Sequence, residues 1–379
     1  MNNIKIILEG ATGRLGQNQH LRALLDIRHE GGLLMGDGTR LMPEPLLLGR
    51  NSVKLSALAT KHGLAWSTDR DACLADSKNS IYFDVSATAE RVVRAKAAIA
   101  AGKHVYLEKP IAESLEDAVA LLRQAQHTGV KHGVVQDKLF LPGLHKLRRV
   151  RDSGLLGKVL SAKLDFGWWI FDGELTPSQR ASWNYRKRDG GGIVLDMFPH
   201  WRYIVDHLIG PISSVSCRVS TQVQQRRDEQ GQRYDVDVED TALATLELEG
   251  GALVQITSSW ATRVKRDDML TVQVDGTQGS AVCGLHRCFT QTLATTPKPL
   301  WNIETERNED FDKQWQEVPD VDTYRNSYRA GWEMFLRHVV DGSAFPSPLL
   351  EGAKGIQLVD ACYRSHSEKR WIDLPPLSI

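Results

Sequence analysis

Hydrophobic residues in the first third of the chain come in short runs separated by helix-like stretches. Ile4–Leu8 is a β-branched run that breaks into a glycine turn and is followed by the helical stretch Asn18–Arg28. The same alternation predicts strands at Pro45–Leu48, Ile81–Ser86, His104–Leu107 and His132–Val135, with helices at Val53–His62, Ala89–Ala101 and Leu115–His127. Such alternation predicts a parallel, doubly wound sheet. Residues 29–44, rich in glycine and proline, are predicted to be an insertion away from this sheet, in the form of a hairpin.

The pattern changes after residue 137, where apolar runs succeed one another with little helix between them. The predicted strands are Val159–Phe166, Ile212–Val223, Thr241–Leu248, Ala252–Trp260 and Leu270–Val274, and the predicted helices are Ile193–Leu208, Tyr324–Val340 and Leu349–Ser365. Residues 222–232 are interpreted as a hairpin loop. The pattern predicts an α/β domain over residues 1–137, followed by an α+β domain with a large, mostly antiparallel open sheet over residues 138–379. The C-terminal helices could pack back on the first domain.

Composition excludes several classes of partner. The chain has 379 residues, 41% of them hydrophobic, and its 47 basic residues balance its 47 acidic ones, so no global basic field is available to hold nucleic acid or an anionic membrane. The five cysteines form no C-x-x-C pair, and their odd number cannot close a full set of disulfides. The early apolar run is too short for a signal peptide or a membrane span. We therefore expect a cytoplasmic protein that starts at Met1.

The glycine turn has the composition of a phosphate-binding loop. Gly10, Gly13 and Gly16 follow a predicted strand and open a predicted helix, although the first gap is one residue wider than in the usual dinucleotide fingerprint. Glycines at such a turn let the backbone approach a pyrophosphate, and the helix N-terminus offers N–H donors. A tight turn without a ligand is the alternative. The position of the turn favours a Rossmann NAD(P)-binding domain.

The end of the second predicted strand bears on the choice of cofactor. A carboxylate there would accept a ribose 2′-OH, whereas a cation would accommodate a 2′-phosphate. This chain has Arg50 and Asn51, with Lys54 nearby and no acid. Arg50 could equally stack on an adenine or lie in solvent, so NAD and NADP both remain open, with a slight preference for NADP.

Gly102-Lys103-His104-Val105-Tyr106-Leu107-Glu108-Lys109-Pro110 resembles the A-G-K-x-V-x-x-E-K-P signature of the glucose–fructose oxidoreductase/inositol dehydrogenase/MocA (Gfo/Idh/MocA) family of NAD(P)-dependent sugar oxidoreductases. The later landmarks also resemble that family and occur in the expected order. They are Ser153–Val159, Gly190-Gly191-Gly192 with Asp196 and His200, Val238–Thr241 and Gly352–Ser365. The resemblance covers essentially the whole chain.

The resemblance implies a catalytic set of Lys109, Asp196 and His200. Lys109 directly follows a parallel strand, at the sheet edge where ligands bind, and would stabilise developing charge on a substrate oxygen. Asp196 and His200 are four residues apart on one predicted helix. By resemblance, His200 is the general acid/base and Asp196 holds the substrate or tunes the His–Lys pair. No metal is expected, because two ligands at this spacing lack an obvious third.

The chain departs from the family pattern near the substrate. Met197-Phe198-Pro199 stands where small residues are usual, and Tyr203 where a second acid is common. The segment from Trp168 to Tyr185 is dense in aromatic residues, which suits stacking on a sugar ring or packing in a sheet. Arg186, Lys187 and Arg188 could hold an anionic substituent, although at least two of them are more easily explained as a solvated loop. Lys138 is a further candidate pocket donor.

The sequence predicts contacts to both the cofactor and the substrate. Those to the cofactor are Gly10, Thr12, Gly13, Arg14, Leu15, Gly16, Arg50, Asn51, Ala87, Thr88, Glu108 and Lys109, and those to substrate are Lys109, Lys138, Trp168, Trp183, Tyr185, Arg186, Asp196 and His200.

Three functions remain open at this stage. The first is dehydrogenation of a CH–OH group of a sugar, sugar derivative or cyclitol. The second is an NAD-dependent glycoside hydrolase that oxidises the sugar transiently, eliminates and returns the hydride, on a substrate that could be anionic. The third is a sugar- or cofactor-sensing binding protein without turnover. By resemblance, a homodimer or homotetramer is expected.

Overall fold

The computed structural model describes residues 2–298, 304, 310–321 and 323–378. The chain forms two compact units. The first comprises Met1–Phe140, Arg325–Gln357 and Leu377–Ile379, and the second comprises Leu141–Tyr324 and Leu358–Pro376. The predicted boundary at residue 137 lies close to the first of these transitions, and the domain limits given above stay a prediction.

The strands of the first unit are β1 (Asn2–Glu9), β2 (Leu33–Leu34), β3 (Arg40–Leu48), β4 (Ala65–Ser67), β5 (Asn79–Asp84), β6 (His104–Leu107) and β7 (His132–Val134). Those of the second unit are β8 (Val159–Gly167), β9 (Ile212–Ser220), β10 (Gln225–Arg227), β11 (Arg233–Asp235), β12 (Thr241–Leu248), β13 (Leu253–Ser259), β14 (Leu270–Gly276), β15 (Gly279–Cys283), β16 (Cys288–Thr292), β17 (Gln316–Glu317) and β18 (Ile372–Asp373). The α-helices of the described residues are α1 (Arg22–His29), α2 (Ser52–His62), α3 (Arg70–Ala75), α4 (Arg91–Ala100), α5 (Leu115–Thr128), α6 (Pro142–Asp152), α7 (Ile193–Leu208), α8 (Ser327–Asp341) and α9 (Leu349–Glu368).

The first unit is built on a sheet in the order β2-β3-β1-β5-β6-β7, with β4 paired to β3. All pairings except β2–β3 are parallel, which confirms the predicted Rossmann-like architecture. The helix after the glycine turn begins at Arg14, continues as a π-helical segment, Gly16–Leu21, and passes into α1.

The prediction that residues 29–44 leave the sheet is wrong. Strand β3 begins at Arg40 and pairs with β1 from Leu41 to Leu48, and β2 forms a short hairpin with it. Pro43 and Pro45 suggested that the chain leaves the sheet here. In the structure, β2 and β4 pair only with the two ends of β3, so one edge of the strand is unpaired at the two prolines. Because Pro43 and Pro45 are two residues apart, their nitrogens point to the same side, and the middle of the strand tolerates them where its second edge is unpaired.

Two apolar cores cover the two faces of this sheet. One contains Leu24, Phe83 and Tyr106 together with Trp332 and Phe335 from α8. The other contains helix residues of α4 and α5 together with Leu349, Ala353 and Ile356 from α9. Both of these late segments therefore pack on the first sheet.

The second unit is built on a sheet in the order β17-β16-β15-β14-β8-β13-β12-β9-β18. Every pairing in it is antiparallel except β8–β13, which confirms the predicted mostly antiparallel sheet. The residues 222–232 lie in and beside the separate β10–β11 hairpin. No prediction covered α3, α6, β4 or the strands from β15 to β18, most of which are short.

Candidate active site

The glycine turn closes tightly between the end of β1 and the following helix. Gly10 has φ +83°, and the N–H of Gly13 donates to the Gly10 carbonyl at 2.9 Å. A Cβ on Gly16 would overlap that carbonyl, and a Cβ on Gly10 would lie 2.9 Å from the backbone nitrogen of Ser86. Glycine is therefore required at both positions, as expected of a turn that brings backbone close to a pyrophosphate.

A cavity of about 510 Å³ opens over this turn. Its lining includes Gly10, Thr12, Gly13, Arg50, Asn51 and Ala87 from the predicted cofactor contacts, and also Glu9, Gly49, Lys54, Val85, Ser86, Ala89, Glu90 and Arg94. The cavity lies at the carboxyl ends of β1, β3 and β5, where open parallel sheets bind ligands. A dinucleotide fits these residues, since glycine backbone, a helix start and several cations converge there.

Around the cavity, the two acidic residues are paired with arginines, and two further basic residues add positive charge. Glu9 is buried and pairs with Arg70 at 2.9 Å, and Glu90 pairs with Arg94. Arg50 and Lys54 add positive charge on the side of β3. The Oδ1 of Asn51 accepts from the N–H of Lys54 at 2.9 Å and caps α2, so this oxygen is already used. Whether Arg50 meets a 2′-phosphate or lies beside a ribose stays a prediction.

The remaining predicted cofactor contacts lie outside this lining. Arg14 and Leu15 form the start of the helix after the turn. Thr88 begins a 3₁₀ turn, and its Oγ1 accepts from Arg91 at 3.4 Å. Their roles stay predictions.

Lys109 follows β6 directly, and its peptide is held by Glu108. The backbone N–H of Lys109 donates to Oε2 of Glu108 at 3.0 Å, and Oε1 of Glu108 lies 2.8 Å from Nε2 of His20. Burial by itself would raise the pKa of Glu108, but the His20 hydrogen bond and the nearby Lys109 and Arg91 charges bring that pKa below its usual value. Glu108 is therefore an ionised carboxylate with a partner on each oxygen.

Lys138 lies in a short 3₁₀ helix, Asp137–Phe140, directly after β7. Its Nζ is 3.5 Å from the carboxylate of Asp137, and it is partly exposed. Its predicted role as a substrate donor stays a prediction.

Helix α7 carries Asp196 and His200, and a distant acid caps it. The N–H groups of Ile193 and Val194 donate to the carbonyl and to Oε1 of Glu239, each at 3.0 Å. Gly192, at φ +112°, leads into the helix, and a Cβ there would lie 2.7 Å from the Glu239 carboxylate. The triple glycine and the Val238–Thr241 segment, which were separate sequence landmarks, thus meet at one helix start.

Each of the two helix side chains has a defined partner. The Oδ2 of Asp196 accepts from Arg180 at 2.6 Å, and Arg180 in turn lies over the ring of Trp260 at 4.3 Å. The Nδ1 of His200 is 2.6 Å from the hydroxyl of Tyr203, and His200 is buried. The predicted role of His200 as the general acid/base stays a prediction.

The aromatic residues predicted to contact substrate differ in their surroundings. Tyr185 is fully buried under the guanidinium of Arg226 at 4.0 Å, and burial raises its pKa to about 12. Trp183 is 49% exposed, and the ring of Trp168 lies 6.0 Å from that of Phe166 at a tilted angle. Tyr185 is thus a core residue of its unit, and among these three rings Trp183 is the most accessible.

Arg186 is engaged within its own unit. Its guanidinium lies 4.4 Å from the ring of Tyr234 and 3.8 Å from the carboxylate of Asp228. These contacts weaken the expectation that Arg186 holds an anionic substituent, although its predicted contact with substrate is untested.

Known proteins resemble this chain along its full length. Residues 4–136 match the family described as "Oxidoreductase family, NAD-binding Rossmann fold", and residues 144–282 match the "GFO/IDH/MocA C-terminal domain". The D-xylose dehydrogenase of Paenarthrobacter nicotinovorans is 46% identical over 382 residues, which cover 99% of this chain and 98% of that protein. The chain belongs to the Gfo/Idh/MocA family.

More distant relatives agree with this assignment. The levoglucosan dehydrogenase of Pseudarthrobacter phenanthrenivorans is 23% identical over 305 residues, covering 74% of this chain and 76% of that protein. A solved levoglucosan dehydrogenase in complex with NADH and L-sorbose has the same fold, with a TM-score of 0.82, 18% identity and 100% of both chains covered. This Gfo/Idh/MocA protein is an oxidoreductase that uses a nicotinamide cofactor, NAD or NADP.

Sequence reasoning missed the residues that support the site. His20, Trp332, Arg180 and Glu239 hold Glu108, Asp196 and the start of α7. Only Glu239 carried a signal, as part of the Val238–Thr241 landmark. The others contact their partners across long stretches of chain or from an irregular segment, which no local periodicity reveals.

Among the described residues, no group of three or more His, Cys, Asp or Glu side chains could hold a metal ion. Within the same residues, no helix has the length and apolar character needed to cross a membrane.

Proposed function

We propose that this protein is a sugar dehydrogenase that oxidises a CH–OH group of a neutral sugar of the aldopentose type. The observation that carries the proposal is the 46% identity, over 99% of the chain, to a protein named D-xylose dehydrogenase. The pairing of Asp196 with Arg180 and of Arg186 with Asp228 supports a neutral substrate, since these cations already have anionic partners.

In the proposed reaction the bound cofactor accepts a hydride from the carbinol carbon. His200 takes the hydroxyl proton at Nε2, while the Tyr203 hydroxyl bonded to Nδ1 fixes the orientation of the imidazole. The ammonium group of Lys109 stabilises negative charge on the substrate oxygen. Asp196, whose charge Arg180 offsets, accepts a hydrogen bond from a neighbouring hydroxyl.

The test is a spectroscopic assay of the purified protein. NAD or NADP is supplied with D-xylose, other aldoses, a cyclitol and methyl xylosides, and absorbance of the reduced nicotinamide is followed together with the organic products. The proposal expects reduced cofactor and oxidised sugar in equal amounts, with an aldopentose as the best substrate. Release of free sugar from a xyloside without net reduction would instead establish the glycosidase alternative, and binding without either product would establish a sensor.

The second unit also offers a surface for self-association. On β12 and β13 the residues that alternate with the buried core face outward, and among them Leu243 and Leu253 are 53% and 49% exposed. Polar neighbours such as Thr245 and Gln255 lie between them on the same face. We propose that a second copy of the chain covers this open sheet face and gives a homodimer or a homotetramer. Light scattering of wild-type protein and of a Leu243→Lys variant tests this, and an unchanged mass in the variant would contradict it.

The five cysteines support a reducing location. All are buried free thiols in the structure. We propose that the enzyme works in the cytoplasm, where such thiols persist.

A further inference from the structure

A chain of buried hydrogen bonds leads from α8 to the peptide of Lys109. The Nε1–H of Trp332 donates to Nδ1 of His20 at 3.1 Å, Nε2 of His20 lies 2.8 Å from Oε1 of Glu108, and Oε2 of Glu108 accepts from the N–H of Lys109 at 3.0 Å. Both His20 and Trp332 are fully buried, and Glu108 is 3% exposed. We refer to Trp332, His20, Glu108 and the peptide N–H of Lys109 as the Glu108 network.

The donors and acceptors of the Glu108 network can be assigned without ambiguity. The indole nitrogen of Trp332 is a donor only, so Nδ1 of His20 must be an acceptor and carries no proton. The proton of the neutral ring is then on Nε2, where it donates to Glu108. An imidazolium would place two N–H donors opposite each other at 3.1 Å in a buried site. Trp332 therefore holds His20 in one tautomer and in its neutral form.

The orientation of Glu108 in turn affects the position of Lys109. A neutral donor leaves Glu108 as an anion, and both of its oxygens are then used to fix its orientation. On the far side of Lys109, the guanidinium of Arg91 donates to the carbonyls of Pro110 and Ser86. The backbone on both sides of Lys109 is thus held by buried charged groups, which restricts where the ammonium group can lie.

We propose that His20 and Trp332 are positioning residues of this oxidoreductase, which keep Glu108 an oriented carboxylate and thereby place Lys109 for reaction. The inference rests on the role proposed above for Lys109. Neither residue needs to touch substrate, since both act through Glu108.

Other titratable groups also face the Glu108 network. Lys109 and Arg91 act on Glu108 from its own loop and from α4. Tyr106 on β6 and Tyr328 on α8 lie close enough to Glu108 and Asp137 to feel their charge, and Arg14 also acts on Tyr328. Burial raises the pKa of both tyrosine hydroxyls, so neither ionises near neutral pH.

The first test is independent of turnover. In protein labelled with ¹⁵N-histidine, the ring nitrogens of His20 are assigned by comparison with His20→Gln. The proposal expects a protonated Nε2 and an unprotonated Nδ1 in the wild-type protein. In Trp332→Phe, which keeps an aromatic ring but lacks the donor, the same ring is expected to lose this fixed tautomer. A His20 protonated on Nδ1 in the wild-type protein would overturn the proposal.

The second test measures turnover with four variants. His20→Phe and Trp332→Phe are expected to lower kcat, by up to about 10²-fold for a misplaced catalytic group, while the affinity for reduced cofactor is retained. His20→Gln is expected to restore kcat, because an amide offers one donor and one acceptor and does not titrate.

Phe335→Leu is the matched control. Phe335 belongs to the same aromatic core and has no polar atom, so its replacement should lower the unfolding temperature and leave kcat and its pH profile unchanged. If His20→Phe behaved like Phe335→Leu, the Glu108 network would be purely structural and the proposal wrong. If no sugar is oxidised by the wild-type protein, the proposed function fails, whereas the imidazole spectra still decide the state of His20.

Discussion

Lys109 in the first unit is held by the Glu108 network, whose members are far apart in sequence, whereas His200 in the second unit is held by partners on its own helix. His20 lies 88 positions from Glu108 and 312 from Trp332, and all three are buried. His200 bonds Tyr203 three residues away, and Asp196 lies one helical turn before it. The placement of Lys109 therefore depends on contacts between distant parts of the chain, whereas the Nδ1 contact of His200 depends on one helix being formed and capped.

The largest expected effect comes from removing the side chain at the end of the Glu108 network. Lys109→Ala should lower kcat by about 10²–10⁴-fold, at least as much as any change at His200, since the ammonium group is proposed to stabilise charge on the reacting oxygen. Steady-state kinetics with the best sugar measures it. Lys78→Ala, at an exposed position of the same unit, is the control. A variant changed only in KM would make Lys109 a binding residue.

His200→Ala tests the corresponding side chain of the second unit. Loss of a positioned proton acceptor should lower kcat by about 10²–10⁴-fold, with binding of the reduced cofactor intact. Fluorescence titration of reduced nicotinamide separates the two quantities. Near-normal turnover would remove His200 from the mechanism, and Tyr203→Phe should show a smaller loss, because it removes only the group that orients the ring.

Arg50→Ala examines the cofactor cavity of the first unit. If Arg50 meets a 2′-phosphate, its removal should weaken NADP binding by about 1.5–3 kcal/mol and leave NAD almost unchanged. Calorimetry with both cofactors decides this. Equal losses would indicate stacking on the adenine, and a wild-type preference for NAD would show that no 2′-phosphate site exists there.

The smallest effect is expected at the helix cap of the second unit. Glu239→Ala removes the acceptor of the Val194 N–H and should lower the free energy of unfolding by about 0.5–2 kcal/mol. Burial raises the pKa of Glu239 above its ordinary value of 4.5. The folded state then binds more protons than the unfolded state, so this group makes stability fall as pH rises from 4.5 through the raised pKa.

Glu239→Gln isolates that titration. The amide keeps an acceptor for Val194 without a charge, so denaturant unfolding of this variant should lose less stability than the wild-type protein over that rise in pH. Identical pH dependence in the two proteins would show that Glu239 does not titrate in this range.

How much of the molecule could be predicted from sequence depends on whether the contacts involved are local. The Rossmann-like sheet and the antiparallel sheet follow from periodicity, and Asp196 and His200 could be placed on one helix because their spacing is local. Strand β3 was misjudged at Pro43 and Pro45, since the sequence does not show that β2 and β4 pair only with its two ends and leave the edge between them open. His20 and Trp332 gave no signal for the same reason, because only tertiary packing brings them to Glu108.

Arg180 shows a second limit of local patterns. It pairs with Asp196 from an irregular segment, whereas the sequence pointed to the neighbouring basic run from Arg186 to Arg188. Charge alone could not distinguish between these arginines, because their partners depend on how the loop folds back on α7.

The claim that Lys109 and His200 serve one chemical step is tested most directly by a double-mutant cycle on kcat. Groups that act as a unit show losses that do not add. We predict that the variant carrying both Lys109→Ala and His200→Ala turns over the sugar about as slowly as the slower single variant. Losses that multiply in the double variant would mean that the two residues act independently, and would contradict this account.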